Sequence, residues 1–300
     1  MPLRIYLDQC AASEIAKNSD WTGLREFLIR GAACGSVFCP LPFDTILETS
    51  RCERAETREA IFSFFRAASG GWIFRQFFDI LADEVLSLVR PAHQFAGFDH
   101  TWEMDRLCDL SAKIGPDFDE LRNERNATLS SWVDPPRPPD MSFKDVLEDV
   151  SREPVARLWR DLCQIASSPD VQSLSEFDCP KITESLLKSG ITAAEAEELA
   201  EKLRHHKMSA IPIQFFHNRL AAAGSHTLLQ RQKASLDYND IIDQERLSVA
   251  LAFSDFAITD RSMAARVERS GIGDVSACKV FRVGDLSEFE RALRIRLSCE

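Results

Sequence analysis

Short apolar runs alternate with helical spacing at the beginning of the chain. Residues 4–8 form an apolar run that ends in an acid, and apolar positions then recur at helical intervals over 11–17 and 21–33. A second run over 35–42 is stopped by its prolines, because proline cannot donate to a strand ladder. Helical spacing resumes at residue 44 and continues through an arginine-rich stretch to about residue 65. The pattern predicts two strands, each followed by helix.

The same alternation returns at the other end of the chain. The predicted elements are a helix over 240–253, a strand over 256–259, a helix over 263–270 closed by Gly271, a strand over 279–283 and a terminal helix from residue 287. Strands that alternate with helices are typical of a parallel sheet. We therefore expect an α/β fold whose single parallel sheet is built from both ends of the chain.

The middle of the chain has a different pattern. From about residue 73 to residue 233 the periodicity is almost only helical, and Thr192 with Glu195 forms a capping box that opens a helix running to about residue 207. The proline-rich stretch 134–140 is the best internal linker. We predict an α/β domain formed by residues 1–70 and 236–300, interrupted by an all-helical insertion over 71–235.

Composition narrows the class of protein. Of 300 residues, 45% are hydrophobic and 28% charged, which is ordinary for a globular protein. No apolar run approaches the roughly 18–20 residues that cross a bilayer, and Asp8 interrupts the first apolar run too early for a signal peptide. The nine cysteines are odd in number and form no Cys-x-x-Cys or zinc pattern, which indicates reduced core thiols. We expect a cytoplasmic protein that does not bind membranes.

Acidic side chains follow several of the predicted strands. Asp8 and Asp260 each come at the carboxyl end of a strand, where parallel sheets bind their ligands. Glu48 lies on the helix after the second strand. Asp240 and Asp243 share one helical face at i and i+3, on the helix before the Asp260 strand. These five acids come from separate parts of the sequence, and the predicted sheet allows them to meet at one end.

A cluster of like charges favours a bound cation. Carboxylates packed together are costly unless a positive charge offsets them, and hard divalent ions prefer oxygen ligands. Because no histidine or zinc ligand set accompanies these acids, the site fits Mg²⁺ or Mn²⁺ better than Zn²⁺. Each acid also has a structural alternative: Asp8 as the end of a strand, Glu48 and Asp243 as solvated helical acids, and Asp240 and Asp260 as helix N-caps.

These segments resemble the PIN-domain family of nucleases. The resemblance rests on residues 6–8, 42–48, 240–250 and 257–260, which follow the family's order of a first strand ending in an acid, a glutamate on a helix, and a late acid–helix–strand–Thr–Asp unit. It covers residues 1–60 and 236–297, less than half of the chain. The resemblance implies a three-layer α/β/α fold and a metal-dependent nuclease, with RNA favoured over DNA as substrate.

The resemblance also assigns roles to individual residues. It implies that Asp8, Glu48, Asp243 and Asp260 hold the metal, with Asp240 as an added or substitute ligand, and that Thr259 orients a metal-bound water or a phosphate. Arg261, directly after Asp260, is a candidate contact for the scissile phosphate. The large helical insertion departs from the compact family pattern.

Two other interpretations remain open. The net charge of −11 is unusual for a protein that binds phosphates, so either the acids are concentrated at a metal site or nucleic acid is not the partner. The alternative is an inactive PIN-like scaffold whose helical insertion binds a protein partner. Phosphatases of the haloacid dehalogenase type also begin with a strand ending in Asp, but they need a second acid two residues on, where this chain has Cys10.

Overall fold

Four parallel strands form the central sheet of the protein. The structure, a computed structural model, describes residues 2–42, 45, 48–49, 52, 54–90, 92–100, 178–203, 210–231 and 238–298. The strands of the sheet are β1 (Leu3–Leu7), β2 (Val37–Phe38), β5 (Phe256–Thr259) and β6 (Lys279–Arg282). Their order is β2-β1-β5-β6, with every neighbouring pair parallel. The prediction of one α/β sheet built from both chain ends is confirmed.

Side-chain alternation along β1 and β5 gives the sheet two apolar faces. Leu3, Ile5 and Leu7 of β1 belong to one buried core, and Tyr6 of β1 belongs to another. In β5, Ile258 joins the first core and Ala257 the second. Because successive side chains of a strand point to opposite faces, each face must be covered by helices.

Four helices of the described residues cover the first face. They are α1 (Gln9–Lys17), α2 (Thr22–Ala33), α3 (Ala55–Ala68) and α10 (Leu286–Ser298). Their apolar stripes pack against β1, β5 and β6 in one core, in which Phe65 of α3 and Phe289 of α10 are fully buried. Burial of one such aromatic side chain contributes roughly 1.5–3 kcal/mol.

The second face is covered by the remaining long helices. They are α4 (Phe77–Val89), α5 (Asp178–Lys188), α6 (Ala193–Leu203), α7 (Pro212–Arg231), α8 (Tyr238–Phe253) and α9 (Arg261–Ser270). Buried residues of all six belong to one core with Tyr6 and Ala257. Helices therefore lie on both faces of the parallel sheet. Four of them, α4 to α7, come from the stretch predicted to be the insertion, and they share the core of the sheet.

Two predictions of local structure are wrong. The predicted insertion over 71–235 is not all-helical, because β3 (Trp72–Phe74) and β4 (Phe98–His100) pair as an antiparallel ribbon. Three-residue strands are too short to show an alternating pattern. The predicted helix over 44–65 is also interrupted: α3 begins at Ala55 and Cys52 lies outside a helix, where its carbonyl accepts a hydrogen bond from the Arg58 guanidinium.

The remaining local predictions have mixed outcomes. Gly271 ends α9 in the left-handed conformation, with φ of 67°, as the pattern indicated. The cysteines at positions 10, 34, 39, 52 and 278 are free thiols. The proline-rich stretch 134–140 lies outside the described residues, and the helix opened by Thr192 is described only as far as Leu203. None of the helices, in the part of the chain that the structure describes, is long and apolar enough to cross a membrane.

Candidate metal centre

The carboxyl ends of β1 and β5 meet at the point where the strand order reverses. From β1 the chain proceeds to β2 on one side, whereas β5 and β6 lie on the other. The Asp8 amide donates to the Ile258 carbonyl at 3.0 Å, and the Thr259 hydroxyl donates to Asp8 Oδ2 at 3.3 Å. Open parallel sheets bind ligands in the crevice at such a switch point. Asp8 and Thr259 therefore lie where the sequence predicted a site.

Asp8 and Asp260 both begin helices. Asp8 is the N-cap of α1 and accepts from the Gln9 amide at 2.6 Å through Oδ1. Asp260 is the N-cap of α9, where its Oδ1 accepts from the amides of Ser262 and Met263. The structural alternative for Asp260, a helix N-cap, is thus present. The capping hydrogen bonds use one oxygen of each carboxylate. Capping fixes the direction in which each side chain leaves the sheet edge.

Asp243 is electrostatically coupled to the other acids. Its pKa is raised to about 8, first by burial and then by the negative charge of Asp8, with further contributions from Glu48 and Asp260, while Arg246 acts in the opposite direction. Like charges raise a pKa in this way only over short distances. Asp243 therefore lies near Asp8, Glu48 and Asp260. Asp240 lies in the first turn of α8, but its side chain is outside the described residues.

A buried arginine neutralises part of this cluster. The Arg246 side chain is only 6% exposed, and its Nη1 donates to Glu48 Oε1 at 3.0 Å and lies 3.6 Å from Asp243 Oδ1. This residue was not predicted from the sequence. The sequence indicated this pairing only through the position of Arg246 three residues after Asp243 on one helix, a spacing at which opposite charges pair.

Two weakly acidic groups lie beside Asp8. The pKa of the buried Tyr6 hydroxyl is raised, first by burial and then by the charge of Asp8, so it remains protonated. The Cys10 thiol donates to Asp8 Oδ2 at 3.4 Å, and its pKa is also raised by burial and by Asp8. Cys10 is therefore a neutral donor at the position where a haloacid dehalogenase phosphatase would have its second acid.

The donor set fits a hard divalent ion in its chemistry. Carboxylate oxygens are the ligands that Mg²⁺ and Mn²⁺ prefer, and a divalent cation would offset the repulsion that raises the pKa of Asp243. In the present arrangement, no group of three or more His, Cys, Asp or Glu side chains within the described ranges is placed to hold an ion.

A narrow cleft opens beside the acids. Its walls include Tyr6, Phe74, Phe77, Arg75 and Arg246, so aromatic rings and two guanidinium groups line it. Tyr6 and Phe74 meet edge to face with ring centroids 5.6 Å apart. Arg246 belongs both to the cleft and to the acidic cluster, and it connects the two.

The two arginines that follow Asp260 have different environments. Arg261 is exposed at the first position of α9, where a phosphate can reach it. Arg266 is only 8% exposed, and its guanidinium lies against Gly224 of α7, where an added Cβ would lie 3.2 Å from Nη1. Arg266 therefore packs between helices instead of facing the solvent.

Comparison with protein-family models, with curated proteins and with solved structures found no match to this chain.

Proposed function

We propose that this protein is a metal-dependent nuclease that acts on RNA as a ribonuclease, with a PIN-like three-layer α/β/α domain and a helical insertion. Asp8, Glu48, Asp243 and Asp260 form its metal centre for Mg²⁺ or Mn²⁺. The proposal is supported by the resemblance of the segments that carry these four acids to the PIN-domain family, and by the proximity of the acids in the fold.

The electrostatic proximity of Asp243 to the other three acids is the observation that most supports this function. Asp8 is bonded to Thr259, the residue before Asp260, while Glu48 and Asp243 share the Arg246 guanidinium. The pKa of Asp243 is raised to about 8 by burial together with the charges of the other three acids. Such repulsion destabilises a fold, and strongly perturbed acids cluster at functional sites. A divalent cation would convert that repulsion into binding energy.

The residues of the centre have distinct roles in this proposal. A bound ion would supply an activated water and stabilise the leaving oxygen of the phosphodiester. Asp8 and Asp260 keep one oxygen on a helix amide and present the carboxylate at the sheet edge. The Thr259 hydroxyl, held against Asp8, orients a water or a phosphate oxygen. Arg261 is exposed where the nucleic-acid strand would approach.

The experiment is cleavage of single-stranded RNA with Mn²⁺ or Mg²⁺ and with EDTA. We expect metal-dependent cleavage that is lost in Asp8→Asn and in Asp260→Asn. Asparagine caps helices as well as aspartate does, so both variants should keep the fold, which circular dichroism and thermal unfolding would verify. The matched control is Asp274→Asn, which removes an exposed acid in the turn after α9. Cleavage that survives both substitutions at the centre rejects the assignment, and parallel assays with single-stranded DNA define the substrate.

A second function is favoured by the salt bridges of Arg246. Because this guanidinium already pairs with Glu48 and Asp243, the centre can be stable without a metal, as expected of an inactive PIN-like scaffold whose insertion binds a protein. That function predicts neither metal-dependent cleavage nor binding of Mn²⁺ in the wild-type protein.

A further inference from the structure

The last strand of the central sheet has an open edge. β6 pairs with β5, and no strand of the described ranges lies beyond it. The Lys279 amide donates to the Asp255 carbonyl at 3.0 Å, so Lys279 and, two residues later, Phe281 turn their backbone groups toward β5. The backbone N–H and C=O groups of Val280 and Arg282 therefore face outward, as alternate residues of an edge strand do.

The opposite edge of the sheet is covered by the protein's own chain. Phe38 of β2 stacks on Trp72 of β3 with ring centroids 5.5 Å apart. The chain that continues from β2 then bonds β3, because the Leu41 amide donates to the Trp72 carbonyl and the Phe74 amide donates to the Leu41 carbonyl, both at 3.0 Å. In the described part of the chain, β6 is therefore the edge that a further strand can join.

A groove of about 460 Å³ runs along the open edge of β6. Val267 and Glu268 of α9 line it on one side, and Glu288 of α10 lines it on the other. These two helices cover opposite faces of the sheet, so the groove lies where the sheet would continue. A strand added beside β6 would thus pass between two helices that are already in place.

The charged side chains of β6 are turned back onto their own chain. Edge strands are commonly protected by charged side chains that block the approach of another strand. Here the Arg282 guanidinium bonds the Glu268 carboxylate of α9, and Lys279 Nζ lies 4.9 Å from the centroid of the Phe281 ring. The outward backbone groups of β6 consequently remain accessible from the groove.

The two ends of the groove differ in chemistry. Asp285 follows β6 directly and is exposed, as is Glu288, which lies 3.7 Å from the exposed Arg291. At the other end Val275, just before β6, is 62% exposed, the largest exposed fraction among the large hydrophobic side chains of the described ranges. A complementary strand would carry positive charge at one end and an apolar side chain at the other.

A second copy of this chain does not have that complementarity. In a symmetric pair, antiparallel β6 strands would place the beginning of one strand beside the end of the other. Val275 of one copy would then face Asp285 and Glu288 of the second copy, and an apolar side chain would meet two carboxylates. The charge pattern therefore favours a segment of a different protein.

We propose that β6 binds an extended segment of a partner protein by strand addition in this groove. The segment carries lysine or arginine beside Asp285 and Glu288 and an apolar side chain beside Val275. Backbone hydrogen bonds to Val280 and Arg282 supply the affinity, and the side chains at the two ends set the direction of the segment. The inference does not use the four acids of the proposed metal centre.

The test uses fluorescein-labelled peptides of about six residues, the usual length of a strand. Each alternates valine and threonine, with arginines at one end and isoleucine at the other, and the arginines are placed at the amino end in one peptide and at the carboxyl end in its counterpart. Fluorescence anisotropy in EDTA gives the Kd, and hydrogen exchange gives the location. We expect one peptide to bind and to slow exchange of the Val280 and Arg282 amides, while the Phe281 amide changes little because it already faces β5.

Charge variants test the acidic end of the groove. Replacing the arginines of the peptide by glutamate should weaken binding about tenfold, and the double variant Asp285→Asn/Glu288→Gln should weaken binding of the arginine peptide about threefold. Both positions are exposed, so the fold should be kept. The matched control is Asp20→Asn/Glu26→Gln, which removes two exposed acids from the segment that includes α2 and should leave the Kd unchanged.

Three results overturn the inference. The first is a lack of binding by both arginine peptides, or equal affinities for the arginine and glutamate peptides. The second is binding that leaves exchange of the Val280 and Arg282 amides unchanged, because the peptide then occupies another surface. The third is a dimer in analytical ultracentrifugation that slows exchange of the same amides without peptide, because a second copy then occupies the edge.

Discussion

The carboxyl group of Asp243 should make the metal-free protein less stable as the pH rises. Its pKa in the folded protein is about 8, whereas the value without the surroundings of the fold is 3.8. The folded state therefore holds this proton more tightly than the unfolded chain does. The resulting stabilisation is fully present below about pH 4 and is lost as the pH rises toward 8, where Asp243 ionises in the folded state as well.

The size of the effect follows from the width of that interval. One pKa unit corresponds to about 1.4 kcal/mol. The difference between a pKa of 3.8 and one of about 8 therefore corresponds to a maximum loss of unfolding free energy of roughly 5–6 kcal/mol. Asp243 is 27% exposed at its side chain, so water relieves part of the repulsion. We therefore expect the free energy of unfolding of Asp243→Asn, relative to that of the wild type, to increase by about 2–4 kcal/mol as the pH rises from 5 to 8.

The assay is urea unfolding in EDTA at several pH values between 5 and 8. Comparing each variant with the wild type removes the contribution of every other titrating group that both proteins share. Asp285→Asn, at an exposed position in the same half of the chain, controls for the loss of one surface carboxylate. A difference between Asp243→Asn and the wild type that stays constant from pH 5 to pH 8 would refute the coupling of the four acids.

Three further predictions concern the metal, the threonine and the packing. The affinity for Mn²⁺ should increase between pH 6 and pH 8 and then level off, because the ion must displace the proton of Asp243. Calorimetry at each pH would measure this affinity, and an affinity that does not change with pH contradicts Asp243 as a ligand. Thr259→Val should lower the free energy of unfolding by about 1 kcal/mol and the rate of metal-dependent cleavage about tenfold. Thr259→Ser should retain both the stability and the rate, since the hydrogen bond to Asp8 needs only the hydroxyl. Gly97→Ala should lower the free energy of unfolding in urea by about 1–3 kcal/mol, because the added Cβ would overlap the Phe253 ring. Gly23→Ala, where nothing lies within 4 Å of an added Cβ, should leave the stability unchanged or raise it.

The elements at the two chain ends could be predicted because each carries a complete local signal. β1 and β5 are short, apolar and followed by a capping acid, and residues 4–8 and 256–260 show this directly. One parallel sheet built from both chain ends was inferred from the strand–helix alternation, which is typical of parallel sheets. The ribbon of β3 and β4 had no comparable signal, because three residues do not display a period of two.

The positions of three of the acids could be predicted from the sequence, whereas the arginine that pairs with two of the acids could not. Asp8, Asp243 and Asp260 lie next to strand ends or on a helix of clear periodicity, so their positions follow from the fold. Arg246 is the single lysine or arginine of α8, and only the three-dimensional structure shows that its partner is Glu48, 198 residues away. Burial decides such roles, and burial of a charged residue cannot be deduced from its own sequence neighbourhood.

The central place of β1 affects when the protein becomes complete during synthesis. The backbone amide of Arg4 bonds the side chain of Asp255 at 2.8 Å, across 251 positions of the chain. At the roughly 5–20 residues per second of translation, an early strand waits from about ten seconds to nearly a minute for its neighbour to leave the ribosome. During that wait the edge of β1 that β5 covers in the folded protein is open to other chains. The four acids can therefore come together only after Asp260, the last of them in the chain, has emerged.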